Sequence, residues 1–547
     1  MRQREFPCTG PAGDDFPVIL CFLALCNDSP LRRVREIVHL QAARHAPLTD
    51  VVELSVSAWF YRNRTIAGFD NPARSLYVSV RELVENSLDA CEDAGVLPDI
   101  TVDLERVSPK RANNRIESEP QVFRLRVQDN GIGIPRDVIP RLIGKMLSGT
   151  KFTLRQSRGT FGLGGSLALL HGQVTTQQPV EVVTGTAGAT EGTRVVMRLD
   201  IEKNEPVVIE EERTIKSPDE HGTAIAFYLE GDWLRSKRKI VEYFAQTSII
   251  VPYASLTFRA PDGRTYTYPR VFHSLPRPPR EMRPHPRGID VETLKSMVTN
   301  TRKKTLLSFM TSSFQRVGKT TASGLLRYAG FDPEMPPSQL TDEDLVGLMR
   351  AMASYNGFMI PSSDSLSPAG EELLKAGLQR LNPDFVAVSQ RAPSVHEGHP
   401  FIVEVGVAYG GQLEPGMRLY RFANRIPLLY DEGSDVSTRV IRELNLKNYG
   451  LRPDDPLAFL VHICSTRVPY KTVGKEYIGD VDAVRREIQL GLMACLRRIG
   501  ESVRRKHRAQ RQRKREDRLL RYYTFMACIL SDATGRPVST TRLFGGA

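Results

Sequence analysis

Apolar and polar positions recur with a helical period just after position 70 and with a strand period after position 120. Val80, Leu83, Val84 and Leu88 share one helical face, while Glu82, Glu85, Asn86 and Asp89 recur at i, i+3, i+4 and i+7 on another. This predicts a helix with an apolar face toward a core and a second face of carboxylates and one carboxamide. From Val122 to Val127, Phe123, Leu125 and Val127 alternate with Arg124 and Arg126, the pattern of a half-buried strand. Ile100 to Leu104 reads as another strand, and the polar stretch Arg106 to Pro120 as a hairpin excursion between the two. Five prolines between Pro276 and Pro286 punctuate an arginine-rich linker. Val291 to about Ala353 then reads as helical. Leu306, Leu307, Met310 and Phe314 form a stripe, Val317-Gly318 marks a turn, and Thr341 is placed to cap a helix carrying Leu345, Leu348 and Met349. From about Leu366 the pattern is mixed again. Phe401, Val403, Val405 and Val407 alternate as one strand, and Leu457 to Cys464 is a more continuously apolar one. Val484, Ile488, Leu492, Leu496 and Ile499 mark a long amphipathic helix.

The candidate chemistry sits on the first of these helices and the segments after it. A carboxylate can polarise water, and an Asn carbonyl oxygen can complete the shell of a hard Mg²⁺. A solvated face with ordinary surface acids is the plain alternative. The strand ending at Val127 runs into Asp129-Asn130-Gly131-Ile132-Gly133. Later come Arg158-Gly159-Thr160-Phe161-Gly162-Leu163-Gly164-Gly165-Ser166 and His221-Gly222-Thr223. Glycines at such places let backbone N–H groups approach a phosphate, and a helix starting near Ser166 would aim its positive end at the anion. There is no G-x-x-x-x-G-K-[ST] motif, so this is not a P-loop sequence.

The ordered set of an acidic/Asn helix, Asp-x-Gly-x-Gly, Gly-x-x-Gly-x-Gly and Gly-Thr resembles the Bergerat-fold ATPases of the GHKL superfamily. Three further segments narrow the resemblance: Asn63 to Arg74, Arg421-Phe422-Ala423-Asn424-Arg425-Ile426-Pro427-Leu428-Leu429, and His462 to Glu476. Together these look like the B-subunit family of DNA topoisomerase VI, a type IIB enzyme, from about Ser55 to about Gly500. The resemblance implies an α+β multidomain fold. Residues 1–54 would be an N-terminal extension or strap and 55–280 a GHKL α/β sandwich. Residues 281–360 would be an inserted helix–two-turn–helix module, 361–503 an α/β transducer of ribosomal-S5-like type, and 504–547 a basic tail. It implies ATP and Mg²⁺ as cofactors, with Glu82 as general base, Asn86 on the metal and Asp129 on the adenine amino group. Gly131, Gly133, Thr150, Lys151 and Thr223 would border the nucleotide, and Gly159, Thr160, Phe161, Gly162, Leu163, Gly164, Gly165 and Ser166 would form the phosphate lid. Lys475 would reach the γ-phosphate from the second domain. Lys471 is the rival, and the Gly474-Lys475 context favours Lys475. The implied partners are the topoisomerase VI A subunit in an A₂B₂ heterotetramer, double-stranded DNA and a second copy in an ATP-dependent dimer.

Composition changes this picture little. The chain has 547 residues, enough for two to four domains, and a formal net charge of +12, which fits contact with a polyanion. Arg504 to Arg521 holds ten Lys/Arg against two acids, either a DNA-contacting arm or a solvated helix end. The basic residues Arg302, Lys303, Lys304 and Lys319 of the helical module carry the same two readings. Seven scattered cysteines without C-x-x-C point to a reducing compartment without disulfides or structural zinc. Phe16 to Cys26 is too short to span a bilayer, and the expected location is cytoplasmic, at the nucleoid. Asp480-Val481-Asp482 resembles a toprim Asp-x-Asp only superficially, since it sits at a helix start, where acids commonly cap. Cutting chemistry is therefore expected from the partner. A MutL-like ATPase, a histidine kinase and a degenerate scaffold are the rivals; the Arg421 run, the absence of a phospho-accepting His segment and the intact motifs speak against them in turn.

Overall fold

The computed structural model describes residues 53–107, 121–149, 153–159, 164–472 and 474–539. Thr150, Lys151, Thr160, Phe161, Gly162, Leu163, residues 1–52 and most of the hairpin excursion lie outside them. The first sheet comprises β1 (Asp99–Arg106), β2 (Gln121–Gln128), β3 (Val180–Gly185), β4 (Glu191–Asp200), β5 (Glu205–Ile215), β6 (Gly222–Gly231), β7 (Ser255–Arg259) and β8 (Thr265–Tyr268). Their order is β5-β4-β3-β6-β2-β1-β7-β8. Only β1 and β7 pair in parallel; the other described neighbours are antiparallel. β1 and β2 pair from Thr101 opposite Gln128 to Arg106 opposite Phe123, as a hairpin requires.

The helices of this unit are α1 (Val56–Arg62), α2 (Pro72–Ala94), α3 (Ile139–Ile143), α4 (Gly164–Thr176) and α5 (Trp233–Ile250). α2 packs against α4, α5 and β6. Its ends follow from local chemistry. Asn71 caps the start by accepting from the Arg74 N–H at 2.8 Å, Pro72 fills the first turn, and Gly95 at φ +70° ends it. Leu76, Val80, Leu83, Val84 and Leu88 are buried with Val102, Phe123, Leu125, Phe227 and Phe244. At about 1.5–3 kcal/mol for each fully buried side chain, this face alone anchors the helix. α4 begins at Gly164, two residues before the expected start.

α6 (Val291–Thr299), α7 (Leu306–Ser313), α8 (Lys319–Ala329) and α9 (Asp342–Ser354) close around their own core of Leu294, Leu306, Phe309, Met310, Leu325, Leu326 and Leu348. Thr341 and Asp344 form a reciprocal capping box at the start of α9. Arg302, Lys303, Lys304 and Lys319 are exposed.

The second sheet comprises β9 (Phe385–Gln390), β10 (Ser394–His396), β11 (His399–Tyr409), β12 (Gly416–Ala423), β13 (Ile426–Pro427) and β14 (Pro456–Ser465). β11 pairs antiparallel with β14, and β12 pairs parallel with it, so β14 is central and buried along nearly its whole length. α10 (Glu371–Gln379) packs on both β9 and α5, joining the two sheets' units. α11 (Val436–Glu443) and α12 (Asp482–Thr534) complete this part. α12 runs 53 residues, about 80 Å. Its apolar stripe is buried through Val503, after which Ala527 is the one buried position among the described residues. The expected boundary between residues 503 and 504 therefore falls inside one continuous helix. Among the described residues, no helix is long and apolar enough to cross a membrane.

Candidate active site

Part of the polar face of α2 is covered: Glu82 and Glu85 are buried, Asp89 is half-buried and Asn86 is exposed. Glu82 is 9% and Glu85 3% exposed, because the N-terminus of α4 and a loop of the second unit lie over them. The close approach of α4 requires glycine: a Cβ on Gly164 would collide with the Glu82 carboxylate. A Cβ on Gly165 would stand 2.9 Å from Asn86 Nδ2. Glu82, Asn86 and the first turn of α4, which includes Ser166, thus border one space. The N-terminal, positive end of the helix lies beside the Glu82 carboxylate.

Asp129 follows the end of β2 and is clamped there. Its N–H donates to Thr223 O at 2.9 Å. Oδ1 accepts from the N–H groups of Gly131 at 2.9 Å and Thr223 at 3.1 Å, and Oδ2 accepts from Ser87 Oγ at 2.7 Å. Burial raises the Asp129 pKa although these hydrogen bonds pull the other way. The clamp sets the carboxylate's plane and leaves lone pairs for a further donor. The Thr223 and Thr184 hydroxyls are 2.9 Å apart. Gly133 adopts φ +74° and presses on the Gly185 carbonyl, where any side chain would clash. Strands β3, β6 and the Asp129 turn are thereby held together at one end of the sheet.

The second unit contributes Lys475. Its Nζ donates to the carbonyl oxygen of Arg158 at 2.6 Å, and the residue is 7% exposed. Arg158 directly precedes Gly159, whose own carbonyl accepts from Ser157 Oγ. Lys475 also adopts φ +55°, a left-handed conformation costing a non-glycine residue of order 1 kcal/mol. Lys471 is exposed and lies along Gly479.

Several residues that sequence reasoning left without a role bind this region together. Arg158 donates to Asp89 Oδ1 at 2.7 Å and Glu92 Oε1 at 2.6 Å, both on α2. Arg425 reaches Glu92 Oε2 at 3.0 Å from beyond β12. Asn424 donates to Ser157 O at 3.1 Å and pairs with the backbone of Ser465. The Arg425 N–H donates to His462 Nε2, and His462 Nδ1 lies 2.8 Å from Glu404, which caps the start of α10 through the Ala369 and Gly370 N–H groups. The run Arg421 to Arg425, in the sequence only a family marker, is the hinge of a buried polar chain. Arg81, next to Glu82, donates to it at 2.6 Å. A buried cation beside a candidate base was the available signal.

Both units match known families. The family described as "Histidine kinase-, DNA gyrase B-, and HSP90-like ATPase" matches residues 71–203, and "Topoisomerase VI B subunit, transducer" matches residues 361–515. The B subunit of type 2 DNA topoisomerase 6 from Metallosphaera sedula is 41% identical over 87% of this chain and 89% of its own. The chain belongs to the type 2 DNA topoisomerase 6 B-subunit family. Relatives of the same description from Saccharolobus islandicus and Sulfurisphaera tokodaii are each 40% identical over 86% of this chain and 88% of theirs. The 43K ATPase domain of Thermus thermophilus gyrase B in complex with an aminocoumarin aligns at 15% identity and a TM-score of 0.40, covering 85% of this chain and 98% of that one. The chain is thus an ATP-binding, ATP-hydrolysing topoisomerase subunit, with a GHKL ATPase domain and a transducer.

In this topoisomerase 6 B-subunit chain, Asp480 is committed to Arg439 at 2.8 Å and to Arg485 at 2.5 Å, as a helix-start acid. Among the described residues, no three His, Cys, Asp or Glu side chains form a metal cluster. The donor set beside α4 fits Mg²⁺ in its usual nucleotide-bound manner: one amide oxygen and a nearby carboxylate, with phosphate and water completing the shell. Asn86 is exposed, and its side chain lies beside Gly165 at the start of α4, where an ion can reach it from solvent.

Proposed function

We propose that Glu82 is the general base that orients water for attack on the γ-phosphate of ATP, with Asn86 holding Mg²⁺, which neutralises phosphate charge when bound. Asp129 accepts from the adenine amino group, bordered by Gly131, Gly133 and Thr223. The glycine segment from Gly159 to Ser166 closes over the phosphates, with Thr150 and Lys151 at the nucleotide's edge. Lys475 is the phosphate sensor of the transducer. The observation that carries this reading is the Lys475 Nζ contact with Arg158 O, at the root of the lid, made from the second unit. A point charge on a flexible stem needs only a short swing to exchange that carbonyl for a phosphate oxygen. Loss of the phosphate removes its partner, and the transducer is free to reorient.

Two copies closing on ATP would form a gate around one DNA duplex. The partner, the A subunit of an A₂B₂ assembly, would cut a second duplex, giving relaxation and unlinking of DNA. The net charge of +12 and the exposed cations of the helical module and α12 support DNA contact. The setting is the cytoplasmic nucleoid.

The test is co-expression with an A subunit from this family of enzymes and an assay on linked DNA circles. ATP-dependent unlinking is expected, abolished in Glu82→Gln while ATP binding is retained. Hydrolysis without strand passage would leave the nucleotide site standing and overturn the partner assignment. Normal hydrolysis by Glu82→Gln would overturn the base.

A further inference from the structure

Three consecutive residues of the transducer loop are each held by the nucleotide domain. Gly474 O accepts from Arg81 Nη1 at 3.3 Å, Lys475 Nζ donates to Arg158 O at 2.6 Å, and the Glu476 carboxylate pairs with Arg74. Arg74 and Arg81 are seven residues apart on α2, two turns, so one helix face presents both guanidiniums to the loop.

Arg81 does more than grip. It is 6% exposed, and its Nη2 donates to Glu82 Oε1 at 2.6 Å. Its Nε stands 3.5 Å from Glu85 Oε1, and its guanidinium lies 5.9 Å from the centre of the Tyr77 ring. From α5, the Tyr243 hydroxyl donates to the Arg81 carbonyl at 3.5 Å. One planar cation thus spans the carboxylate beside α4 and the backbone next to Lys475. Its fork of fixed N–H directions can serve both at once, whereas an ammonium is a single point charge.

We infer that Arg81 is a positioning residue that couples the orientation of Glu82 to the seating of the lysine loop. The inference rests on the reading of Glu82 as the base. With the loop seated, Gly474 O holds one arm of the guanidinium and fixes the other arm against Glu82. When the loop withdraws, that arm loses its acceptor. The buried cation then turns toward Glu82 and Glu85 alone, and the carboxylate leaves its aligned rotamer. Loop movement therefore reaches the base through one side chain, and Lys475, whose contact with Arg158 O helps seat the loop, acts upstream of Arg81 on the same route. Arg81 touches no reacting atom in this scheme.

The test uses the full chain with its A-subunit partner and measures ATP turnover and ATP affinity for Arg81→Lys and Arg81→Met. Glu82→Gln serves as reference, and a double-mutant cycle pairs Arg81→Lys with Lys475→Ala. Arg81→Lys keeps the buried charge but not the bridge. It should lower kcat by about 10- to 100-fold, the scale of a misaligned catalytic group, with KM within about twofold. Its loss should not multiply with that of Lys475→Ala, since both break the same coupling. Misfolding of Arg81→Met would not harm the test, because Arg81→Lys decides alone. Wild-type kcat in Arg81→Lys, a matching rise in KM, or fully multiplicative losses would each overturn the coupling. Normal turnover by Glu82→Gln would instead sink the base reading; an inactive Glu82→Gln beside an unaffected Arg81→Lys would sink the coupling alone.

Discussion

Removing the Glu92 carboxylate should destabilise the nucleotide domain by about 3–5 kcal/mol at neutral pH, the scale for breaking a buried ion pair. Glu92 Oε1 accepts from Arg158 Nη2 at 2.6 Å and Tyr253 Oη at 2.5 Å, and Oε2 accepts from Arg425 Nη2 at 3.0 Å. Both arginines are buried. In Glu92→Ala, Arg158 keeps Asp89, but Arg425 keeps only the Ser367 hydroxyl among these side-chain partners. Two buried cations and a phenol lose an acceptor together, which places the effect in the upper half of the range. Against a total domain stability of about 5–15 kcal/mol, the loss is easily read.

The pH dependence has a definite sign. Burial alone would raise the Glu92 pKa, but Arg158 and Arg425 more than offset it and hold the carboxyl below its ordinary value of 4.5. The native state therefore favours the charged form. Its contribution is fully present above the unfolded pKa and is lost as pH falls through the lower folded one. Denaturant unfolding followed by tryptophan emission suits the measurement, because both tryptophans, Trp59 and Trp233, lie in α1 and α5 of the nucleotide unit and Trp233 is buried. The gap between wild type and Glu92→Ala should be wide at pH 7 and narrow below the ordinary carboxyl value of 4.5. Glu92→Gln, which keeps the shape, should show most of the same loss. A loss below about 1 kcal/mol at neutral pH, or a Glu92→Gln protein as stable as wild type, would refute the argument from charge.

Other substitutions test separate parts of the site. Asp129→Asn should weaken ATP binding by about 10- to 100-fold, equivalent to one charge-assisted hydrogen bond, and unchanged affinity in a titration would remove Asp129 from the adenine pocket. Gly164→Ala should abolish turnover, because its Cβ would enter the space of the Glu82 carboxylate; near-normal kcat would mean that α4 is not seated as described. Lys475→Ala should leave ATP binding largely intact while strand passage per ATP falls, and a larger defect in Lys471→Ala would reverse the choice between the two lysines.

Much of the fold was legible because the periodicity was local. The alternation from Val122 to Val127 sits in β2, and the Leu345, Leu348 and Met349 stripe follows a Thr341 cap as the pattern requires. α12 was legible only over its first half. Val484 to Ile499 face a core, but the residues after Val503 are largely exposed, so their helical continuation to Thr534 rests on composition rather than on an apolar stripe. Glutamates on α2 illustrate the opposite failure. Their spacing placed Glu82, Glu85, Asn86 and Asp89 on one face, but spacing cannot say whether water or protein covers that face. Glu82 and Glu85 are covered, by Gly164 and by Gly474 to Glu476, 82 and about 390 residues further along the chain, while Asn86 stays exposed.

That cover makes the candidate site a junction between domains. Glu85 shows why. It is 3% exposed, neither oxygen has a hydrogen-bond partner among the described residues, and burial together with the neighbouring Glu82 charge pushes its pKa up to about 7 against the pull of Arg81 and Lys475. An acid so placed is poorly stabilised by its own helix. Its charged form depends on two cations, one next to the candidate base and one delivered by the transducer. If either cation moves, the cost of keeping that carboxylate charged rises. Seating of the transducer loop and the charge balance on α2 are therefore one equilibrium. Anything that draws Lys475 toward a bound phosphate must be answered on α2, and Arg81, already shared between Glu82, Glu85 and Gly474, is the group placed to answer it.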